Sequence, residues 1–192
     1  MSEDALFPAP RTRGAGNSGG ERARDVRDAA QDPRVVDRFQ RYVRSGGPSD
    51  CWWWCGAVAS AGHGRFWIRS GLVVIAHRFA WALDHPGDVL PRLLAHECDN
   101  SLCQNPEHLH ATDQTGNRRE WAARRHQLGS PLRDVRGSRG RAVAVRDAVR
   151  AGDNVAAAIA AGVRPIDAGQ GVLWSEPEDA HGGATTISGS DQ

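Results

Sequence analysis

The chain has 192 residues with 24 basic and 23 acidic side chains, which leaves a formal net charge of +1. This length accommodates one domain with appendages or two small domains. No apolar run approaches the roughly 18 residues of a membrane span, and the N-terminus lacks the apolar core of a secretory signal. We therefore expect a cytoplasmic protein without a membrane partner.

The N-terminal region divides into a leader and a short helix. Residues 1–31 are rich in Gly, Pro, Ser, Arg and Asp without periodicity, which predicts a disordered leader. The next apolar residues, Val35, Val36, Phe39 and Val43, recur at helical spacing. They predict a short amphipathic helix.

A β-hairpin and a second helix follow. Residues 65–68 and 72–75 are mostly apolar, with aromatic and β-branched side chains, and they flank a turn that contains Gly71. This arrangement predicts two paired strands. Residues 77–84 predict a helix that stops before Pro86.

Cysteine and histidine concentrate in one short loop in the middle of the chain. Cys98, Cys103 and His108 are spaced like metal ligands, and zinc usually takes four ligands in a tetrahedron. Because there is no export signal, we expect the cysteines to be metal-bound thiolates rather than disulfides. The loop supplies three ligands, so the fourth must come from elsewhere, and Cys51 and Cys55 are the candidates.

The residues on either side of this loop predict the order strand, loop, strand, helix. Residues 93–95 indicate a short buried strand, and residues 108–111 indicate the returning strand. Thr112 or Asp113 can cap the helix that follows, and this helix carries Asn117.

The pattern His-x-Cys-x4-Cys-x4-His-x8-Asn, from His96 to Asn117, resembles the HNH (His-Me finger, ββα-metal) endonucleases. It is most similar to their zinc-containing branch, which includes the His-Cys box homing endonucleases. The Cys-Trp and Ala-His-Arg motifs at residues 51–52 and 76–78 also resemble phage and bacterial members. The resemblance covers residues 32–126. It implies an α+β fold with a small ββα-metal domain, a preceding β-hairpin, a structural zinc, flanking helices and disordered termini.

The resemblance also implies catalytic roles. His96 is then the general base, and Asn117 holds one Mg²⁺ by its amide oxygen. Arg65 and Arg78 are the candidates for the arginine that contacts the scissile phosphate. Many members carry Asp immediately before the catalytic histidine, whereas this chain has Ala95, so one carboxylate metal ligand is missing here.

A structural zinc follows from the same resemblance, with Cys51, Cys98, Cys103 and His108 as its ligands. Cys51 is preferred to Cys55 because the family's cysteine precedes a tryptophan. A domain with a small core gains folding free energy from such a metal.

The implied function is Mg²⁺-dependent hydrolysis of double-stranded DNA by an endonuclease of homing or phage type. Because one finger cuts one strand, we expect a homodimer. The alternative is a zinc-stabilised DNA-binding module without cleavage, which would need the zinc ligands but neither His96 nor Asn117. A nicking or RNA-directed relative would share the same site.

Two other polar residues carry weaker signals, and a third carries none. His77 is expected to be a packed, hydrogen-bonded residue rather than a ligand. Asn105 is expected to hold the cysteine loop through backbone hydrogen bonds. His63 carries no signal of a function.

The C-terminal part of the chain is basic, then helical, then acidic. Every basic residue is arginine, and residues 118–150 hold ten arginines against three acidic residues, which gives +10 − 3 = +7. Residues 127–140 predict a basic linker, which fits either a DNA-tracking arm or a solubilising connection. Residues 141–174 predict a helical appendage broken at Gly152, and residues 175–192 predict a disordered acidic tail.

Overall fold

A computed structural model of the chain describes residues 18–164 and Asp167, and the rest of the predicted leader, appendage and tail lies outside the described residues. The architecture is mixed α+β with small antiparallel sheets. No helix in this part of the chain is long and apolar enough to cross a membrane. The helices are α1 (Ser18–Ala30), α2 (Pro33–Gln40), α3 (Ala76–Asp84), α4 (Gln114–Arg124), α5 (Gly137–Ala151) and α6 (Val155–Ala160). The strands are β1 (Val43–Arg44), β2 (Trp53–Trp54), β3 (Ala57–Val58), β4 (Gly64–Arg69), β5 (Leu72–Ile75), β6 (Leu93–His96) and β7 (Leu109–Thr112).

Four aromatic rings form the centre of the core. The ring of Phe39 on α2 lies 5.4 Å from Trp54, 5.2 Å from Phe66 and 4.8 Å from Phe79, measured between ring centroids. All four side chains are buried, and tilted or edge-to-face contacts of this kind are favourable. They join α2, β2, β4 and α3 into one unit.

The predicted disordered leader is wrong for residues 18–30, which form α1. Val26 and Ala30 stand four residues apart on one face of this helix and are only 2% and 7% exposed. That face packs on α3. Tertiary burial of a narrow apolar stripe stabilises a helix that its polar composition alone does not predict.

The predicted hairpin and helix are confirmed. β4 and β5 pair antiparallel, and β4 alternates buried residues such as Phe66 with exposed ones such as Trp67. β4 can begin close to β2 only because residue 64 is glycine. A Cβ on Gly64 would lie 2.7 Å from the Trp54 ring and 2.9 Å from Cβ of Ala76.

The predicted order of strand, loop, strand and helix is also observed. β6 and β7 pair antiparallel, with His96 opposite Leu109. A short 3₁₀ turn, Pro106–His108, leads into β7. Asp113 caps α4, since its carboxylate accepts a hydrogen bond of 2.7 Å from the amide of Gly116. His96 therefore stands at the end of a buried strand beside the cysteine loop.

The C-terminal segment packs on the domain more closely than predicted. Instead of a linker up to residue 140, the chain enters α5 at Gly137, and α5 packs on β2 and β3. Val145 of α5 belongs to the main core and is 1% exposed. The predicted break is confirmed, because Gly152 adopts φ 75° and ends α5 before α6.

Shortening a single side chain tests whether α5 is integral to the domain. Val145→Ala removes two buried methyl groups and should lower the free energy of unfolding by about 2 kcal/mol. The matched control is Val135→Ala, because Val135 is 57% exposed and should change stability by less than about 0.5 kcal/mol. Urea denaturation of both variants measures the difference. Equal stability of the two would mean that α5 is a detached appendage.

Candidate functional site

The four predicted zinc ligands come together in the structure. Cys51 precedes β2, Cys98 and Cys103 lie in the loop after β6, and His108 ends the 3₁₀ turn. Their ligand atoms all lie within 4.8 Å of one another. Nδ1 of His108 is 3.8 Å from Sγ of Cys51 and 3.5 Å from Sγ of Cys103. This group of three cysteines and one histidine, the Cys3His cluster, could hold a metal ion such as zinc.

The distances in the cluster suit a tetrahedral ion. Bonds of about 2.3 Å to sulfur and about 2.1 Å to nitrogen at tetrahedral angles separate a sulfur from a nitrogen by about 3.6 Å. The two measured separations bracket this value. Nε2 of His108 donates to the carbonyl of Ser49 at 3.1 Å, which leaves the Nδ1 lone pair for a metal.

Hydrogen-bond donors surround the sulfur atoms as they do around thiolates. The amide group of Asn100 donates to Sγ of Cys51, and the backbone N–H of Asn105 donates to Sγ of Cys103, both at 3.4 Å. Hydrogen bonds from the Cys103 and Cys51 thiols lower the pKa of Cys98, whereas hydrogen bonds with Cys51 and Cys98 raise the pKa of Cys103. Three thiols this close together do not all ionise unless a positive charge lies between them, and one divalent cation would supply that charge.

Asn105 ties the cysteine loop to the segment before Cys51, as predicted. It is fully buried, and its amide group donates to the carbonyls of Pro48 at 2.6 Å and Asp50 at 2.9 Å. Its Oδ1 accepts from the amide of Glu107 at 3.1 Å and caps the 3₁₀ turn. One side chain therefore brings Cys51 to the loop that holds the other ligands.

The structure decides between Cys51 and Cys55, because Cys55 lies outside the cluster. Its side chain is buried, and its thiol faces the carbonyl of Trp53 at 3.8 Å. Burial raises the pKa of Cys55, which keeps it a neutral thiol in the core.

His96 is held in one orientation next to the cluster. Its Nε2 donates to the carbonyl of Cys103 at 3.1 Å, so its Nδ1 carries the lone pair. The ring is buried, with 8% of the residue exposed, and this burial lowers the pKa of His96 to about 4. The imidazole is therefore neutral at pH 7 and can accept a proton.

His96 and Asn117 open on the same cleft. The cleft has a volume of about 750 Å³, and Trp121 also lines it. Asn117 lies in the first turns of α4, which β7 and the Asp113 cap orient toward β6. The charged residues of this lining are Arg118, Arg124, Arg141 and Asp99.

The two arginines singled out in the sequence lie elsewhere. Arg65 is exposed, stacks on Trp67 at 5.4 Å and lines a different cavity together with Arg38 and Arg150. Arg78 donates to the carbonyls of Pro91 at 2.7 Å and Arg92 at 3.2 Å, which fixes the chain leading into β6. Neither is among the residues that line the cleft of His96.

The sequence did not reveal a second group of histidines at this place. His63, His77 and His96 form a second cluster, in which one ring nitrogen of each residue lies within 4.8 Å of the others. His77 is packed as expected, but its Nδ1 has no hydrogen-bond partner among the described residues. His63 lines the cleft. The glycines on either side of His63 were the available signal, since both allow close backbone approach.

Comparison with known proteins gives two partial similarities. The chain is 44% identical over 62 residues to "Protein 2.8" of Escherichia phage T7, which covers 32% of this chain and 41% of that protein. It is 37% identical over 60 residues to "Protein 7.7" of the same phage, with 31% and 45% covered. The chain thus spans less than half the length of these relatives. No protein-family model matches the chain, and no solved structure matches it significantly.

Removal of one cluster ligand tests the metal site. Cys103→Ser should lose bound zinc and most of the folded structure, because metal binding at such a site is coupled to folding. Cys55→Ser is the matched control, since it alters another buried cysteine and should keep one zinc per chain. Metal content by mass spectrometry and folding by circular dichroism give the two readouts. Full zinc content and full stability of Cys103→Ser would mean that the cluster does not bind metal.

Proposed function

We propose that the chain is a Mg²⁺-dependent HNH endonuclease that hydrolyses double-stranded DNA. In this proposal β6, the cysteine loop, β7 and α4 form the ββα-metal finger, and the Cys3His cluster holds a structural zinc. The observation that carries the proposal is the shared cleft, because His96 and Asn117 both line it. The hydrogen bond from Nε2 of His96 leaves the lone pair on Nδ1 available.

His96 acts as the general base. The hydrogen bond from Nε2 to the carbonyl of Cys103 fixes the ring and leaves Nδ1 to take a proton from a water molecule. The same hydrogen bond stabilises the positive charge that the ring acquires, because a carbonyl oxygen accepts more strongly from an imidazolium. Burial keeps the ring in its neutral form before the reaction.

Asn117 supplies the ligand for the catalytic cation. A Mg²⁺ ion bound at its amide oxygen would neutralise the phosphate and stabilise the leaving 3′ oxygen. Ala95 contributes no carboxylate here. Asp99 lines the cleft but forms a 3.0 Å ion pair with Arg124, so the DNA phosphate itself must complete the coordination.

Arg118 is the best placed arginine for the scissile phosphate. Arg124 is paired with Asp99 and Glu120, and Arg141 donates to Asn100. Arg118 is exposed, lines the cleft, and makes no side-chain hydrogen bond within the described residues. A free guanidinium can bind two phosphate oxygens at once.

The two proteins that resemble this chain over about a third of its length come from phage T7, which agrees with an endonuclease of phage type. One cleft of this kind can process one strand at a time. Cleavage of both strands then requires two chains, which favours a homodimer on DNA.

The second candidate is a zinc-stabilised DNA-binding module without cleavage. The observation in its favour is the poor ligand set around Asn117, since a neutral amide without a neighbouring carboxylate binds Mg²⁺ weakly. This candidate gives no role to the ordered, neutral ring of His96.

Plasmid cleavage tests the proposed base. His96→Gln keeps a donor for the Cys103 carbonyl but has no basic nitrogen, so cleavage of supercoiled plasmid should fall about 10²- to 10⁴-fold. DNA binding and folding should persist. His126→Ala, which alters an exposed histidine outside the cleft, is the control and should cut normally in Mg²⁺ but not in EDTA. Equal cutting by wild type and His96→Gln would exclude His96 as the base, and DNA binding without any cleavage by wild type would favour the binding module.

A pair of neighbouring arginines tests the phosphate contact. A hydrogen bond to a charged group contributes about 1.5–3 kcal/mol, so Arg118→Ala should slow cleavage roughly tenfold to a hundredfold. Arg119→Ala removes an adjacent exposed arginine that does not line the cleft and should have little effect. A large loss in Arg65→Ala with none in Arg118→Ala would assign the contact to Arg65 instead.

A further inference from the structure

Three histidines from separate parts of the chain lie close together at the wall of the cleft. His63 lies between β3 and β4, His77 lies in the first turn of α3, and His96 ends β6. One ring nitrogen of each lies within 4.8 Å of the others. The ring centroids are 4.7 Å apart for His77 and His96, 5.2 Å for His63 and His77, and 6.0 Å for His63 and His96.

Two of the three rings are oriented by the same loop. Nδ1 of His63 lies 3.3 Å from the carbonyl of Ser101, and Nε2 of His96 lies 3.1 Å from the carbonyl of Cys103. Each ring donates its N–H to one of these carbonyls and keeps a lone pair on its other nitrogen. Histidines that bind metals usually donate their second nitrogen to a carbonyl or carboxylate in this way.

The third ring has an unsatisfied polar atom. His77 is 5% exposed, and its Nδ1 has no hydrogen-bond partner among the described residues. Such an atom in a protein core costs free energy unless a ligand satisfies it. Burial lowers the pKa of both His77 and His63, so these imidazoles are in the neutral form that coordinates metals.

We propose that His63, His77 and His96 form a second metal site, which binds a transition-metal ion such as Co²⁺, Ni²⁺ or Zn²⁺. Imidazole nitrogen suits these ions, whereas Mg²⁺ prefers oxygen. Nitrogens about 2.0 Å from one ion place ring centroids about 5 Å apart at tetrahedral angles. The His77–His96 and His63–His77 pairs lie close to this separation, and the His63–His96 pair, at 6.0 Å, is wider. His63 and His96 also line the cleft, so a fourth ligand can enter from solvent.

Occupancy of this site would block the reaction, a consequence that rests on the proposed function. The ion takes the lone pair of His96 that is assigned to accept a proton from water. Mg²⁺ does not compete for three imidazoles, so excess Mg²⁺ does not relieve the block. The same histidine is then a base when the site is empty and a metal ligand when it is filled.

Cobalt binding to the full-length chain loaded with a single equivalent of Zn²⁺, which the three cysteines take up first, tests the second site without reference to cleavage. Co²⁺ does not displace Zn²⁺ from the cysteines, because zinc binds more tightly. Wild type should take up one further equivalent of Co²⁺ in calorimetry, with visible absorption bands that lack sulfur-to-metal charge transfer. His63→Ala should lose this binding event, and so should His77→Gln if it remains folded by circular dichroism. The matched control His126→Ala should keep it.

Several results would overturn the proposal. They are the absence of a second equivalent in wild type, and equal Co²⁺ binding by wild type and His63→Ala.

In a second assay, Co²⁺ added in the presence of Mg²⁺ should stop plasmid cleavage by wild type at concentrations that do not affect His63→Ala. Binding without this inhibition would overturn the blocking role. If wild type does not cut DNA under any condition, the nuclease proposal fails while the binding measurement still decides the metal site.

Discussion

The amide of Asn105 is the constraint on which the rest of the site depends. Its hydrogen bonds to the carbonyls of Pro48 and Asp50 join two segments that are far apart in sequence. Through them Cys51 reaches Cys103 and His108. A buried amide with all of these bonds formed specifies one arrangement, because each lost bond would leave a buried polar group unpaired. These hydrogen bonds would add to the free energy that a metal in the cluster contributes to folding.

The cysteine loop contributes both to the Cys3His cluster and to the hydrogen bonds that orient two of the three histidines. Two of its cysteines and His108 belong to the Cys3His cluster. The carbonyls of Ser101 and Cys103 accept hydrogen bonds from His63 and His96. A metal that holds the sulfur atoms thus also fixes the carbonyls that orient the histidines. This coupling explains how a small domain can present a buried, neutral imidazole in a single tautomer next to an open cleft.

Charge in the C-terminal half is used mainly within the fold. Residues 118–150 carry a formal charge of +7, yet Arg124 pairs with Asp99 at 3.0 Å and Arg133 pairs with Asp167 at 2.7 Å, and both acidic partners lie outside this stretch. These ion pairs, together with the buried face of α5, attach the segment to the domain. The net charge of a stretch therefore overstates the positive surface that DNA could meet. Arg118 on α4 is exposed, lines the cleft and makes no side-chain hydrogen bond within the described residues.

The sequence by itself determined the hairpin, the strand–loop–strand–helix unit, the break at Gly152 and three of the four residues of the Cys3His cluster. These depend on local periodicity, turn residues and ligand spacing, which short stretches of chain contain. Only the tertiary structure decided that residues 18–30 form a helix, that Cys51 rather than Cys55 joins the cluster, and that Arg65 and Arg78 lie outside the cleft of His96. The same holds for the meeting of His63, His77 and His96. Each of these depends on packing between elements distant in sequence, and such packing leaves no periodic signal in the residues that take part.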